Sequence, residues 1–319
     1  MEKDIIRTIK YFNTFSYSPD INELFLFLNT KTDKKKLHKV LKTLIFNKKI
    51  VKKGNLYTRG EYNKGKLEIR NSKFEITQKK LNNWKFRAYI KLISLFPQIK
   101  LVGLSGSISM MNAKEDDDFD LFIITAKNRI FTSRLIALAL AQSLGLRRSR
   151  DSESLFSQRD YKNKVCLNLF FDETKLNIPN FKKNYYIAHE IIQMKPIFDR
   201  KDTYARFLNA NTWVFRIFPN ARALDTQFLS RKGALPRFLE GPNSQKLVSS
   251  RPRRNVILNP DSIGGTLIED LIENILKRVQ IFLINRHRTT EIVTNKQLWF
   301  FPEDFEEKLP KFARKKHNT

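Results

Sequence analysis

Residues 101–107 read LVGLSGS, and after seven further residues the chain continues at residues 115–124 as EDDDFDLFII. The first segment is typical of a short strand that ends in a Gly-Ser turn, and the second of an acidic turn that leads into an apolar strand. Residues 115–120 hold five carboxylates in six positions. Like charges at this density repel one another unless a cation compensates them. These two segments therefore predict both a pair of neighbouring strands and a cation site.

The start of the second strand supplies the candidate metal ligands. Because successive side chains of a strand point to opposite faces, Asp118 and Asp120 share one face and Phe119 lies on the other. Two adjacent carboxylates suit a hard divalent cation such as Mg²⁺ or Mn²⁺. Asp116 and Asp117 precede the apolar strand, so we expect them in a loop, where they add to the electrostatic field without binding metal.

Gly106-Ser107, followed after ten residues by Asp118-Phe119-Asp120, resembles the signature of the DNA polymerase β-like nucleotidyltransferase superfamily. The expected order of elements resembles the minimal fold of that family. It comprises helix 81–95, strand 99–105, helix 107–113, strand 119–125, helix 129–145 and strand 164–171. The fold class that follows is α/β (α+β), with a polymerase β-type nucleotidyltransferase domain.

The resemblance implies a division of roles among these residues. Gly106 would let the backbone approach the triphosphate of an NTP, and Ser107 would donate hydrogen bonds to phosphate oxygens. Asp118 and Asp120 would hold Mg²⁺, which neutralises charge at the phosphates. A hydroxyl of the acceptor would then attack the α-phosphorus and expel pyrophosphate.

The family also implies a third carboxylate on the following strand, and here the chain departs from the pattern. Residues 165–171 read VCLNLFF, and the strongly polar residue among them is Asn168, which has no basicity and no charge. Asp172 lies four residues farther on, roughly 13 Å along a strand, too far to reach the same ion. Three readings stay open: Asn168 orients substrate in a two-carboxylate enzyme, a carboxylate elsewhere completes the site, or the site no longer transfers nucleotides.

The N-terminal part of the chain carries most of the excess positive charge. The whole chain of 319 residues has a formal net charge of +28, and residues 1–100 contain 24 Lys and Arg against 8 Asp and Glu. Residues 1–60 predict three helices, the third capped by Asp33, and a hairpin that turns at Gly54-Asn55. This pattern resembles a winged helix-turn-helix, which implies nucleic-acid contact through its third helix and wing. The candidate contacts are Lys35, Lys36, Lys39, Lys42, Lys52 and Lys53. The alternatives are a protein-binding module and a merely solvated basic face.

The remaining sequence predicts a connector at residues 61–80, a nucleotidyltransferase domain at 81–220 and, at 221–319, a basic loop followed by a helical C-terminal region. Helical spacing of apolar residues over 266–286 predicts a helix that packs on the catalytic domain or mediates a dimer contact. His189 lies beside apolar helix positions and indicates a core residue rather than a general base. The single cysteine, Cys166, excludes an intramolecular disulfide, predicts no cysteine-based zinc site, and is expected to pack in the core.

The function that the sequence predicts is Mg²⁺-dependent transfer of a nucleoside monophosphate from an NTP to a hydroxyl, with nucleic acid as the favoured acceptor. The alternative is a DNA-binding regulator whose transferase domain is catalytically weakened. A weaker third hypothesis is an interaction partner in a toxin–antitoxin pair. The N-terminal residues are charged and the apolar runs are short, so we expect a cytoplasmic protein without membrane segments.

Overall fold

A computed structural model describes residues 1–59, 65–148, 161–222, 263–286, 291–300 and 309–314 of the chain. The N-terminal residues form helices α1 (Glu2–Thr14), α2 (Ile21–Leu26) and α3 (Lys34–Phe46), then strands β1 (Val51–Lys53) and β2 (Leu56–Thr58). The predicted cap at Asp33 is present, because its side chain accepts a hydrogen bond from the Lys36 amide. The Asp20 side chain caps α2 by accepting two backbone hydrogen bonds. The hairpin turns at Gly54, whose φ of +53° favours glycine.

The segment between this unit and the sheet contains a helix that the sequence did not predict. This helix, α4 (Gly65–Leu81), covers most of the expected connector at residues 61–80. The next helix, α5 (Trp84–Ile93), begins three residues later than predicted, because Asn83 caps it by accepting hydrogen bonds from the amides of Lys85 and Phe86. Charged residues are spread along α4 and leave no clear apolar stripe, so apolar periodicity did not predict this helix.

A mixed six-stranded sheet forms the centre of the molecule. Its elements, in chain order, are β3 (Ile99–Leu104), α6 (Gly106–Ser109), β4 (Phe119–Thr125), α7 (Ile130–Ser143), β5 (Val165–Asp172), α8 (Tyr185–Gln193), β6 (Lys195–Asp199), α9 (Thr203–Ala210) and α10 (Val214–Ile217). The strand order is β6-β3-β4-β5-β8-β7, with β4 and β5 parallel and the other neighbours antiparallel. The sequence did not predict β6, an edge strand that tolerates Pro196.

The C-terminal region was predicted to be helical, but it also contains two strands. It contains α11 (Ile263–Asn285) and a short α12 (Lys311–Arg314), but β7 (Ile292–Val293) and β8 (Gln297–Trp299) join the central sheet, where β8 pairs with β5. The basic loop expected around residues 240–263 lies almost wholly outside the described residues. Among the described helices, none combines the length and the apolar character needed to cross a membrane.

Helix α11 packs on α7, but largely through its polar side. The buried carboxylate of Glu273 accepts hydrogen bonds from the amides of Phe131 and Thr132, and Gln280 donates to the Phe131 carbonyl. Of the apolar residues expected to pack, Leu276 is partly buried. The others are 45–67% exposed: Leu267, Ile268, Leu271, Ile272, Ile275 and Val279.

Each face of the sheet supports a hydrophobic core. Phe119, Leu121 and Ile123 pack towards α5 and α7, whereas Phe122 and Ile124 pack towards α8 and α9. The second core also contains aromatic side chains from α1, so the N-terminal unit is packed directly against the sheet domain. This packing brings the end of α1 close to the candidate site.

Candidate functional site

The Gly-Ser turn connects β3 to α6 and lies directly against β4. Gly106 has a φ of +63°, and a Cβ atom at this position would lie 2.4 Å from Oδ2 of Asp120. The amide of Ser105 donates a hydrogen bond to the Asp120 carbonyl at 3.0 Å. A side chain at Gly106 would therefore be both strained and in collision with a carboxylate. This turn holds the backbone against Asp120 as closely as glycine allows.

Asp118 and Asp120 extend from the start of β4 into a cavity, whereas Phe119 points the other way and stacks on Phe86 with ring centroids 3.9 Å apart. The predicted alternation is confirmed. Burial and the neighbouring Asp118 carboxylate raise the pKa of Asp120 well above its ordinary value of 3.8. Burial also raises the pKa of Asp118. The Arg148 guanidinium, whose Nη1 lies 3.6 Å from Oδ2 of Asp118, partly offsets this rise. Without a cation, two ionised carboxylates are unfavourable here.

Asn168 lies beside this pair, on the neighbouring strand. Its Nδ2 donates a hydrogen bond to Oδ1 of Asp120 at 3.0 Å, and its Oδ1 accepts one from the Cys166 thiol at 2.9 Å. The Asn168 amide therefore orients Asp120. The more distant Asp172 is fully buried at the other end of the strand, where it accepts hydrogen bonds from the amide of Asn128 and from Lys296. It is a structural residue of the sheet.

Ser107 has a partner within the protein. Its hydroxyl donates a hydrogen bond to Oδ2 of Asp117 at 2.6 Å, and the same oxygen accepts the Lys114 amide. Lys80 stabilises the acidic turn, because its buried ammonium group donates hydrogen bonds to the carbonyls of Glu115 and Asp117. Burial lowers the pKa of Lys80, an effect that the nearby carboxylates oppose. Asp117 is thus a structural loop residue.

A cavity of about 600 Å³ joins these residues to the end of α1. Its polar end contains the two predicted pairs, Gly106 with Ser107 and Asp118 with Asp120, together with Asn168. Tyr11, Phe12, Phe15 and Tyr17, contributed by α1 and the turn after it, line another part of the wall. The N-terminal unit therefore completes the cavity, which sequence reasoning missed because no local pattern predicts how two units pack.

Glu190 of α8 is a further cavity residue that the sequence did not single out. Its carboxylate accepts a hydrogen bond from the Gly106 amide, and burial raises its pKa to about 7. It also contributes to the raised pKa of Asp120. A carboxylate outside the expected strand therefore lies next to the Gly-Ser turn.

Two more residues of the site lacked a sequence signal. Cys166, expected in the core, faces the cavity, and its sulfur lies with oxygens of Asp118 and Asp120 in a group whose atoms are all within 4.8 Å of one another. Arg148 donates a hydrogen bond to the Cys166 sulfur at 3.4 Å and follows a segment without a motif. Asp118, Asp120 and Cys166 together form a group that could hold a metal ion.

The predicted nucleic-acid contacts lie apart from the cavity. Lys35, Lys36, Lys39 and Lys42 are exposed on α3, and Lys52 and Lys53 are on β1. None of these six lysines belongs to the cavity wall. The structure thus separates a basic outer surface from the acidic inner site.

Comparison with protein-family models, with curated proteins and with solved structures gives no match. The function is therefore inferred from the residues of the site.

Proposed function

We propose that the chain is a metal-dependent nucleotidyltransferase of the DNA polymerase β-like type, which moves a nucleoside monophosphate from an NTP to a hydroxyl acceptor. The observation that carries this proposal is the contact of the Gly106 turn with Asp120 in the wall of a cavity that Asp118 also lines. A backbone turn that binds phosphate and a carboxylate pair that binds metal must be adjacent for this chemistry. Here the carboxylate of Asp120 lies directly against Gly106.

The donor groups fit a hard divalent cation, because the two carboxylates are adjacent and half-buried. Burial raises the pKa of both, and the Asp118 carboxylate further raises that of Asp120. Asp118 and Asp120 would hold Mg²⁺ or Mn²⁺. When bound, such an ion neutralises charge on the phosphates and on the transferred phosphoryl group.

The side chains of the protein then position the reactants. Gly106 lets the main chain approach Asp120 closely, so a phosphate bound at the turn would lie beside the metal-binding carboxylates. The Ser107 hydroxyl would exchange its hydrogen bond with Asp117 for one with a phosphate oxygen. Asn168 holds Asp120 in its orientation. The acceptor hydroxyl attacks the α-phosphorus, the bond to pyrophosphate breaks, and the hydroxyl proton passes to solvent. The aromatic wall provided by Tyr11 and Phe15 suits stacking with a nucleobase.

The N-terminal unit supports nucleic acid as the acceptor. Three helices followed by a basic hairpin resemble a winged helix, and α3 exposes a row of lysines to solvent. Such lysines bind phosphates by displacing counterions. Because the same unit lines the cavity through α1, a nucleic acid held on its outer face would lie on the domain that also borders the site.

The test is incubation of the full-length protein with Mg²⁺, each NTP radiolabelled at the α-phosphate, and RNA, DNA or cell lysate as acceptor. We expect label on an acceptor with the native chain and none with the Asp118→Asn/Asp120→Asn double variant. Asp116→Asn is the matched control, because Asp116 is an exposed carboxylate of the same turn and should be dispensable. Equal labelling by the double variant, or no labelling under any condition, would contradict the proposal.

A second candidate, a DNA-binding regulator that binds nucleotide without turnover, is favoured by one observation. The polymerase β-like family has a third carboxylate on this strand, whereas this chain has Asn168. The Asn168 amide is uncharged and donates a hydrogen bond to Asp120. This candidate predicts that calorimetry detects Mg²⁺-dependent NTP binding while the labelling assay stays negative. Incorporation of label that depends on Asp118 and Asp120 would exclude it.

A further inference from the structure

The thiol of Cys166 lies in the candidate site but has no role in the proposed transfer. It is the single cysteine of the chain, and its side chain is 5% exposed. In the parallel register of β4 and β5, Cys166 pairs with Asp120, so its side chain and the carboxylate extend from neighbouring strands into the same cavity. A sulfur atom and oxygens of two carboxylates thereby come within 4.8 Å of one another.

The three donor groups are held in place by hydrogen bonds. Asn168 accepts from the Cys166 thiol and donates to Asp120, so one amide fixes the direction of both donor side chains. Outer hydrogen bonds of this kind orient metal ligands in many sites. Asn168 therefore holds the two side chains next to each other in the metal-free site, and its hydrogen bond to Asp120 remains when the thiol loses its proton.

The guanidinium of Arg148 adds a cation at the same place. It lies 3.6 Å from Oδ2 of Asp118 and donates to the Cys166 sulfur at 3.4 Å. The same side chain lies over the Tyr161 ring, 3.7 Å from its centroid, which gives it a resting position beside the site. Arg148 therefore offsets part of the negative charge and would repel an incoming metal ion.

We propose that Asp118, Asp120 and Cys166 bind a thiophilic divalent ion of the Zn²⁺ class, and that Cys166 is a direct ligand of that ion. Mg²⁺ takes oxygen ligands and gains nothing from sulfur, whereas Zn²⁺ binds cysteine thiolate and carboxylate together. Three protein ligands leave a fourth tetrahedral position open for water or substrate. On binding, the thiol releases its proton to solvent.

This inference revises the expectation that one cysteine predicts no cysteine-based zinc site, since carboxylates complete the ligand set. It rests on the proposed function in one respect, because both use Asp118 and Asp120. Zinc competes with magnesium for these two carboxylates, so a bound Zn²⁺ ion would regulate the Mg²⁺-dependent transfer.

The test uses the full-length protein without nucleotide. Cd²⁺ is titrated as a spectroscopic probe, and a thiolate-to-cadmium absorption band can arise only from Cys166 because the chain has no other cysteine. We expect the band to saturate at one Cd²⁺ per chain and Zn²⁺ to abolish it by competition. The Asp118→Asn/Asp120→Asn variant should lose this tight binding. The absence of a saturable band in the native chain would overturn the proposal without any variant.

Cys166→Ser tests the ligand itself. We expect it to weaken Zn²⁺ binding by at least about tenfold while Mg²⁺ binding stays unchanged. Arg148→Gln should strengthen Zn²⁺ binding, because it removes a competing cation. Circular dichroism verifies that each variant is folded. Equal Zn²⁺ affinity of the native chain and folded Cys166→Ser would contradict the proposal. Because binding is measured without NTP, a failure of zinc binding and a failure of nucleotidyl transfer would be seen separately.

Discussion

The side-chain amide of Asn168 donates a hydrogen bond of 3.0 Å to the carboxylate of Asp120 across the β4–β5 pair. In a site without metal, this contact places a neutral donor against a buried anion and lowers the cost of its charge. A carboxylate at position 168 would instead add a third negative charge. Asn168 therefore favours a site that remains stable while no metal is bound.

Replacing Asn168 by Asp should make the fold depend on metal. We expect Asn168→Asp to lower the free energy of unfolding by about 1–3 kcal/mol without metal, because a hydrogen bond is exchanged for repulsion. Mg²⁺ should restore this loss, since it binds the folded state. Urea denaturation with and without Mg²⁺ measures both effects. Asn168→Ala is the control and should show no comparable rescue, because it adds no ligand. Equal stability of the Asp variant in both conditions would show this account to be wrong.

Gly106→Ala should damage the site through two separate effects. The substituted residue would keep a φ of +63°, which costs about 1–2 kcal/mol, and its Cβ would lie 2.4 Å from Oδ2 of Asp120. We expect a loss of more than about 2 kcal/mol in the free energy of unfolding, together with loss of nucleotide binding. Thermal denaturation and calorimetry with an NTP measure these effects.

Gly54→Ala is the matched control for the backbone effect. Gly54 has a similar φ of +53°, but a Cβ atom there meets nothing within 4 Å. We expect this variant to lose only about 1–2 kcal/mol and to bind nucleotide normally. A Gly106→Ala variant that is no less stable than Gly54→Ala would show that the contact with Asp120 does not constrain position 106.

The sequence predicted the central part of the site because its signals are local. A glycine that precedes a helix, and two acidic residues at alternate positions of an apolar strand, have conformational consequences that do not depend on the rest of the chain. The strand expected at residues 119–125 agrees with β4 at Phe119–Thr125.

The parts that the sequence did not predict depend on contacts between distant segments. Helical spacing indicates that α11 has an apolar stripe, but it does not indicate which element packs against that stripe. In the structure the polar side of α11 faces α7, because Glu273 and Gln280 form hydrogen bonds with Phe131. Cys166 looked like a core residue because its neighbours are apolar. Only the register of β5 against β4 brings its sulfur to Asp120.

The basic surface of α3 should account for the salt dependence of nucleic-acid binding. Replacing Lys35, Lys36, Lys39 and Lys42 by Gln should weaken binding and reduce the slope of log K against log salt, by about 0.9 for each lysine that contacts a phosphate. Fluorescence anisotropy with labelled DNA or RNA at several salt concentrations measures this slope. The control removes an equal charge from exposed lysines outside α3, namely Lys85, Lys91, Lys127 and Lys175. If both sets of variants reduce the slope equally, the effect is one of net charge and α3 has no special role.

His189 should make the attachment of the N-terminal unit sensitive to acid. Its ring is fully buried between Tyr11, at 4.0 Å between centroids, and Phe27, at 4.2 Å, and neither ring nitrogen has a hydrogen-bond partner among the described residues. Burial holds the pKa of His189 well below its ordinary value of 6.5. The unfolded chain therefore binds a proton below pH 6.5 that the folded chain does not, so stability falls as the pH decreases through this value. Denaturation on either side of this pH should show a loss that His189→Phe reduces, whereas substitution of the exposed His38 by Gln leaves it unchanged. An acid-induced loss of the same size in His189→Phe would assign the effect to other groups.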